Sequence, residues 1–356
     1  MTGLLDELPA ELARRLRPAS DDPGAAMLAT LSDRRDFDNG WILERKLDGV
    51  RALAARDGGR IRLLSRSAKP FDEAFPELAE ALAEQECAVF TVDGEIVALR
   101  GGITDFSRLQ RRIGLTDSRE ARASGVAVTF YVFDLLRLDG SDTTRLPLLA
   151  RKSLLHDALR LTSPLRYTTH RKAARDSRPL LEQACSRGWE GLIAKRTDAQ
   201  YAHRRSPNWL KLKCARGQEF VVGGFTEPEG SRVGFGALLL GYYDGDRLRY
   251  AGKVGTGWDT KTLRSLRAEF DELEQDGSPF DGVVRERGAV HWVWPEFVAQ
   301  IGFTEWTRDG MLRHPRYLGR REDKRARDVV REESVPGSGS AAPTSCTARA
   351  ATSAIT

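Results

Sequence analysis

The segment "WILERKLDGVR", Trp41 to Arg51, constrains the fold of this chain more than any other stretch. It opens as a strand with Trp41, Ile42 and Leu43, then presents Lys46 between Glu44 and Asp48 before Gly49 turns the chain. Strands rarely bury so many charges, because each charge taken out of water has to be paired or bind something. Lys46 therefore belongs either to a solvated, salt-bridged face or to a pocket in which it acts as a nucleophile. Alone, K-x-D-G does not choose between the two, since three fixed residues recur by chance.

Further charged stretches fall on strands in a consistent order. "LLSRS" carries Arg66, and "TVDGEIV" sets Glu95 inside a strand next to Ile96 and Val97. "YVFDLL" carries Phe133, and "WEGLIAK" carries Glu190. In "WLKLK", Lys211 and Lys213 are two apart and so share one face of a strand. Each stretch can be read separately as a salt-bridged strand end. Six such ends in sequence are better explained by one charged cleft.

The spacing of apolar residues organises the chain around these stretches. A hairpin is expected from "WILERK", "GVRALAARD" and "RIRLLSR", with Gly58-Gly59 at the second turn. "FDEAFPELAEALAEQ", "LLARKSLLHDALR" and "RPLLEQACSRG" have helical spacing. "AVFTVDGEIVAL" and "VAVTFYVFDLL" make a strand pair, and "GLIAKR" and "WLKLK" close this part as an α+β domain over residues 1–215. Beyond it, short glycine-punctuated strands interrupted by the helix "KTLRSLRAEFDELEQ" predict a small Greek-key barrel of the oligonucleotide-binding (OB) kind over 216–330. A β-sandwich competes on pattern alone. Residues 331–356 are small, polar and aperiodic, and a disordered tail is expected there.

Composition narrows the function classes. No run of about 18 apolar residues exists, so no membrane association is expected. "MTGLLDELPAELARRL" reads as an amphipathic opening helix and not as a signal peptide. Cys87, Cys185, Cys214 and Cys346 are widely spaced, which argues against a zinc ribbon and a disulfide framework and for a reducing cytoplasm. A net charge of +5 permits a polyanionic partner without requiring one.

The ordered set "ERKLDGVR", "LLSRS", "TVDGEIV", "YVFDLL", "EGLIAK", "WLKLK" and "RREDK" resembles the ATP-dependent DNA ligases of the nucleotidyltransferase superfamily. The likeness is greatest to the ligase module of bacterial end-joining ligases, with "DFSRLQRR" and "LRHPRYLGRREDK" similar to that branch. It runs over roughly residues 20 to 328 and implies an adenylation domain followed by an OB-fold domain. RNA ligases and mRNA-capping guanylyltransferases share K-x-D-G, but "RREDK" and "DFSRLQ" favour DNA. A relative that keeps the fold without activity would lack the lysine or the carboxylates, and all are present.

The resemblance implies a lysyl-adenylate on Lys46, formed from ATP with Mg²⁺ or Mn²⁺. Lysine is protonated at neutral pH, and the metal with Lys211 and Lys213 would disfavour its charged form. By the same resemblance Glu44 lies beside the adenine, Phe133 stacks on it, and Arg51, Arg66 and Arg205 engage nucleotide or DNA phosphates. Glu95 serves ribose and metal, Glu190 the metal, and Arg321 and Lys324 the pyrophosphate. Nicked or broken duplex DNA is the implied partner of a monomer acting at the nucleoid. Segments expected for polymerase, nuclease or N-terminal DNA-binding domains are not apparent, which suggests help from a Ku-like end binder.

Overall fold

The computed structural model describes residues 3–214, 217–228, 233–286, 288–307 and 309–332. Three sheets carry the site. In chain order their principal strands are β1 (Leu28–Leu31), β2 (Trp41–Lys46), β3 (Val50–Asp57), β4 (Arg60–Ser65), β5 (Val89–Arg100), β6 (Val128–Leu138), β7 (His170–Lys172), β8 (Gly191–Arg196) and β9 (Arg205–Lys213). Three helices pack on them: α1 (Pro76–Ala83), α2 (Leu148–Ala158) and α3 (Arg178–Ser186).

The first sheet is built on the antiparallel order β6-β5-β3-β4, which includes the expected strand pair. Its core joins Phe75, Leu78 and Leu82 from α1 and its approach, and Leu154 and Leu155 from α2, to Val92, Ile96, Phe130 and Val132. The second sheet has the order β7-β2-β8-β9-β1, antiparallel except for the β9–β1 pair. There α3 covers one face through Leu181 and Ala184, which pack with Leu43, Leu192, Ala194, Leu210 and Leu212. Because side chains alternate along a strand, Leu43 on the α3 side sends Glu44 and Lys46 to the other side, towards the first sheet. Met27, Leu53, Phe133, Leu136, Tyr201 and Trp209 cluster between the two sheets.

Past Lys213 the chain enters a third, antiparallel sheet. Its strands include β10 (Gly217–Thr226), β11 (Leu238–Asp244), β12 (Arg247–Val254), β13 (Val290–Val293), β14 (Val298–Gly302) and β15 (Arg316–Arg320). β10 pairs with β11, β13 and β14 along different parts of its length, so the sheet curls around it and agrees with the OB expectation over a sandwich. Helix α4 (Thr260–Glu272) is capped by the Asp259 carboxylate, which accepts from the Thr262 amide at 2.8 Å. It inserts Leu263, Leu266 and Phe270 among Phe225, Phe235 and Phe297.

Three expectations need correction. The opening segment is helical only over Ala10–Ala13, because Pro9 cannot extend the helix backwards; Leu4, Leu5, Leu8 and Leu12 still pack on the first core. Cys185 and Cys214 form a disulfide, with Cα atoms 5.4 Å apart. The fold brings the end of α3 beside the end of β9, where the Cys214 amide donates to the Glu190 carbonyl at 3.0 Å, so sequence spacing was no guide to pairing. Finally, Arg331 and Glu332 of the expected tail are ordered against the third sheet, while 333–356 lie outside the described residues. Among the described residues, no helix is long and apolar enough to cross a membrane.

Candidate active site

The register of the second sheet arranges the site. Across β2, β8 and β9, one row is Glu44–Ile193–Lys211 and the next is Lys46–Gly191–Lys213. Gly191, at φ 150°, leaves the middle of the lysine row without a side chain; a Cβ there would meet the Leu212 carbonyl oxygen at 2.0 Å. Gly49 after Lys46 has a similar cause, since its Cβ would lie 2.1 Å from the Ile96 carbonyl oxygen on β5. The turn can cross the first sheet only as glycine.

A cleft of about 170 Å³ opens between the first two sheets and is closed by the third. Glu44, Lys46, Ile193, Lys195, Trp209 and Lys211 line it from the second sheet. Arg51, Arg66, Glu95 and Phe133 come from the first sheet and its loop, and Glu219, Arg321, Asp323, Lys324 and Glu332 from the C-terminal part. Arg205 completes the rim, donating to the Ala29 carbonyl. Ten of the expected residues therefore meet in one cleft. Glu190 and Lys213 adjoin them in a contiguous cavity with Lys46, Asp48, Glu95 and Lys211.

Lys46 Nζ donates to Glu190 Oε2 at 2.5 Å, with 18% of its side chain exposed. Burial lowers its basicity, but Glu190, Asp48 and Glu95 outweigh that and hold the ammonium above its ordinary pKa. This differs from the expected effect of Lys211 and Lys213, and the reason is structural. Both of those lysines are ion-paired with Glu332, the Lys213 pair at 3.2 Å, so one carboxylate offsets part of their charge. Burial nevertheless pulls Lys211 down to about 8, against the pull of Glu332. Burial, reinforced by Glu190, pushes Asp48 up to about 6, and burial pushes Glu95 up to about 7 despite Arg51, Arg321 and Lys46.

Glu44 is held between two buried lysines, Lys152 on α2 and Lys195 on β8, each at 2.6 Å. Burial disfavours its charge, but the two ammoniums together keep it below the usual carboxylate range. Lys195 lies 4.2 and 4.1 Å from the ring centroids of Phe133 and Trp209, and its contact to Glu44 lacks hydrogen-bond alignment. Phe133 is therefore both a core residue, packed edge-on to Trp209, and a wall of the cleft. Arg51 stacks over Phe133 at 4.6 Å and forms a bidentate pair with fully buried Asp93, which also accepts from Tyr201 Oη at 2.6 Å. Arg321 is bidentate to Asp323 at 2.9 Å, and Lys324 pairs with Glu219 at 3.1 Å.

Among the described residues, no three His, Cys, Asp or Glu side chains are grouped to hold a metal by themselves. A hard divalent cation such as Mg²⁺ needs only one or two carboxylates and takes its remaining ligands from water and substrate phosphates. Glu95, Glu190 and Asp48 could supply the oxygen donors; burial raises Glu95 and Asp48, and for Asp48 the neighbouring Glu190 carboxylate adds to it, a repulsion that a cation would relieve.

Two family models cover most of the chain: the ATP dependent DNA ligase domain matches residues 26–213, and the ATP dependent DNA ligase C terminal region matches 231–324. The chain belongs to the ATP-dependent DNA ligases. It is 40% identical over 300 residues to the multifunctional non-homologous end joining protein LigD of Pseudomonas aeruginosa, a match covering 82% of this chain and 35% of that protein. The LigD DNA repair protein of Mycobacterium tuberculosis is 37% identical over 338 residues, 90% of this chain and 42% of that one. The chain thus spans less than half the length of these curated relatives. A solved mycobacterial DNA ligase D, complexed with ATP and MES, superimposes with a TM-score of 0.61 at 34% identity, covering 88% of this chain and all of that one.

Sequence reading of this ligase missed the residues that hold the expected ones. Lys195 could have been found, because it lies two positions after Ile193 and so on the cleft face of β8. Lys152 falls on the buried stripe of α2 with Leu148, Leu154 and Leu155, where an unpartnered lysine would be costly. Asp93, Tyr201, Glu219 and Glu332 carry no local signal; their partners are 42 to 121 residues away.

Proposed function

We propose that this chain is a sealing module that transfers AMP from ATP through Lys46 to a 5′-phosphate in duplex DNA and then joins that end to a 3′-hydroxyl. The observation that carries the reading is the placement of Lys46 on a strand end in the cleft, in one register row with Lys213 and beside Lys211, beneath Arg321 and Lys324. In the first step Lys46 Nζ attacks the α-phosphorus, an N–P bond forms and the bond to the pyrophosphate oxygen breaks. The proton Nζ must lose has an acceptor in Glu190, at 2.5 Å. Lys211, Lys213, Arg321 and Lys324 neutralise charge on the phosphates and the departing pyrophosphate. A divalent cation held by Glu95 and Glu190 would cancel the carboxylate charge that keeps Lys46 protonated, leaving burial to lower its pKa.

Glu44, fixed by its two lysines, faces the base and Phe133 lines its slot, while Arg51, Arg66 and Arg205 serve phosphate or ribose groups. The reading divides the chain near residue 215 into an adenylation domain and an OB-fold domain, a division supported by the change of sheet between Lys213 and Gly217. Phosphate contacts would give affinity without sequence preference, with binding that weakens steeply in salt. The likeness to LigD supports broken ends as the substrate; the reading adds a monomer acting in the cytoplasm, at the nucleoid, beside a Ku-like end binder. The test is incubation with α-labelled ATP and Mg²⁺, then denaturing electrophoresis, beside GTP and NAD⁺. Label from ATP alone, lost in Lys46→Ala, is expected. Label retained by Lys46→Ala would reject the nucleophile, and label from GTP would indicate capping chemistry.

A further inference from the structure

Four of the cations that reach towards the place of the phosphates already have an anion. Lys324 has Glu219, Arg321 has Asp323, and Lys211 and Lys213 share Glu332. The first two carboxylates lie on β10 and beside Arg321 itself. Glu332 arrives differently, on a strap that leaves β15 and crosses the third sheet.

We propose that Glu332 is a positioning residue for nucleotide entry, a carboxylate that holds Lys211 and Lys213 where the nucleotide's phosphates bind and is displaced by them. This rests on the reading of those lysines as phosphate ligands.

The strap is anchored in two unequal halves. Val329 is fully buried, its carbonyl accepts from the Tyr243 amide at 2.7 Å, and Val330 bridges to Tyr243. Among the described residues beyond that point, Arg331 lies over the Trp306 ring at 4.5 Å and the backbone is tied to buried Gln218 on β10. Its Nε2 donates to the Val330 carbonyl at 3.4 Å, and its Oε1 accepts from the Glu332 amide at 3.1 Å. Glu332 can therefore leave without unpacking Val329.

It also has to leave. Only 11% of its side chain is exposed, and although burial opposes its charge, Lys211 and Lys213 bring its pKa down to about 2. It stays ionised at any working pH and cannot accept a neighbouring phosphate by taking up a proton. A polyphosphate and this carboxylate compete for the same two ammoniums in a site shielded from water, where like charges repel strongly. Until a nucleotide arrives, Glu332 keeps the two buried ammoniums partnered.

Competition makes a prediction that a merely structural role does not: removing the carboxylate should improve substrate binding. Self-adenylation by the full chain, stripped of AMP with pyrophosphate, is followed with α-labelled ATP in wild type, Glu332→Gln, Glu332→Ala and Glu332→Asp. In Glu332→Gln, which keeps the shape, KM for ATP should fall roughly five- to tenfold with kcat held within about twofold. The pyrophosphate concentration that half-reverses adenylation should fall alongside. Glu332→Asp, which keeps the charge, should stay closer to wild type, and thermal melts of Gln and Ala variants guard against misfolding. An unchanged or higher KM in both neutral variants, or a fall in kcat alone, would overturn the proposal. A wild-type chain that takes no AMP from ATP would instead remove the functional reading beneath it.

Discussion

Glu44→Gln offers the sharpest test of how the cleft is held together. The substitution keeps size and shape but leaves Lys152 and Lys195, both about 2% exposed or less, facing each other without their shared carboxylate. Removing one partner of a buried ion pair typically costs about 3–5 kcal/mol, because the remaining charge is stranded. In a domain of this size that corresponds to a drop in Tm of roughly 10 °C. The loss should depend on pH. Lys195 has a folded pKa brought down to about 8 by burial, below its ordinary 10.5, so between those values the unfolded chain binds more protons and stability rises with pH. Without Glu44, the main influence holding that pKa up is gone and the window extends towards neutrality. The variant should therefore gain more stability than wild type between pH 7 and pH 9, and the gap should narrow. Urea unfolding at both pH values measures it. A loss under about 1 kcal/mol, or a gap that is constant with pH, would refute the assignment of Glu44 as the charge that balances two buried ammoniums.

Two further outcomes are expected. Lys324→Ala should slow self-adenylation more than sealing of a pre-adenylated nick, measured in parallel single-turnover assays; equal slowing would count against a role confined to the pyrophosphate. Reducing the Cys185–Cys214 disulfide, or replacing Cys185 with serine, releases a 29-residue loop and should cost about 3–4 kcal/mol in denaturant titrations. An unchanged midpoint would mean that the register of β8 and β9 already confines the two ends.

Much of this site was legible in the one-letter code because its signals are local. Alternation along a strand is enough to put Glu44 and Lys46 on one face, and Lys211 and Lys213 on one face, once those stretches are recognised as strands. Glycine at 49 and 191 marks points where another backbone passes too close for a side chain. The order of charged strands carries the likeness to the ligase family in the sequence itself. The helix at 260–272 and its apolar stripe were equally visible, since a 3.6-residue period needs no knowledge of what the stripe packs against.

What the tertiary structure alone decided is which charge answers which. Glu44 meets Lys152 across 108 residues, Arg51 meets Asp93 across 42, and Lys211 meets Glu332 across 121. Those pairings also set the charge of Lys46, whose ammonium is stabilised by Glu190 while Lys211 and Lys213 share one carboxylate. They also place Glu332, read from sequence as part of a featureless tail, at the centre of the cleft. The physical reason is that backbone periodicity reports which way a side chain faces, whereas a pKa depends on every charge within a few ångströms, and only the folded chain brings those charges together.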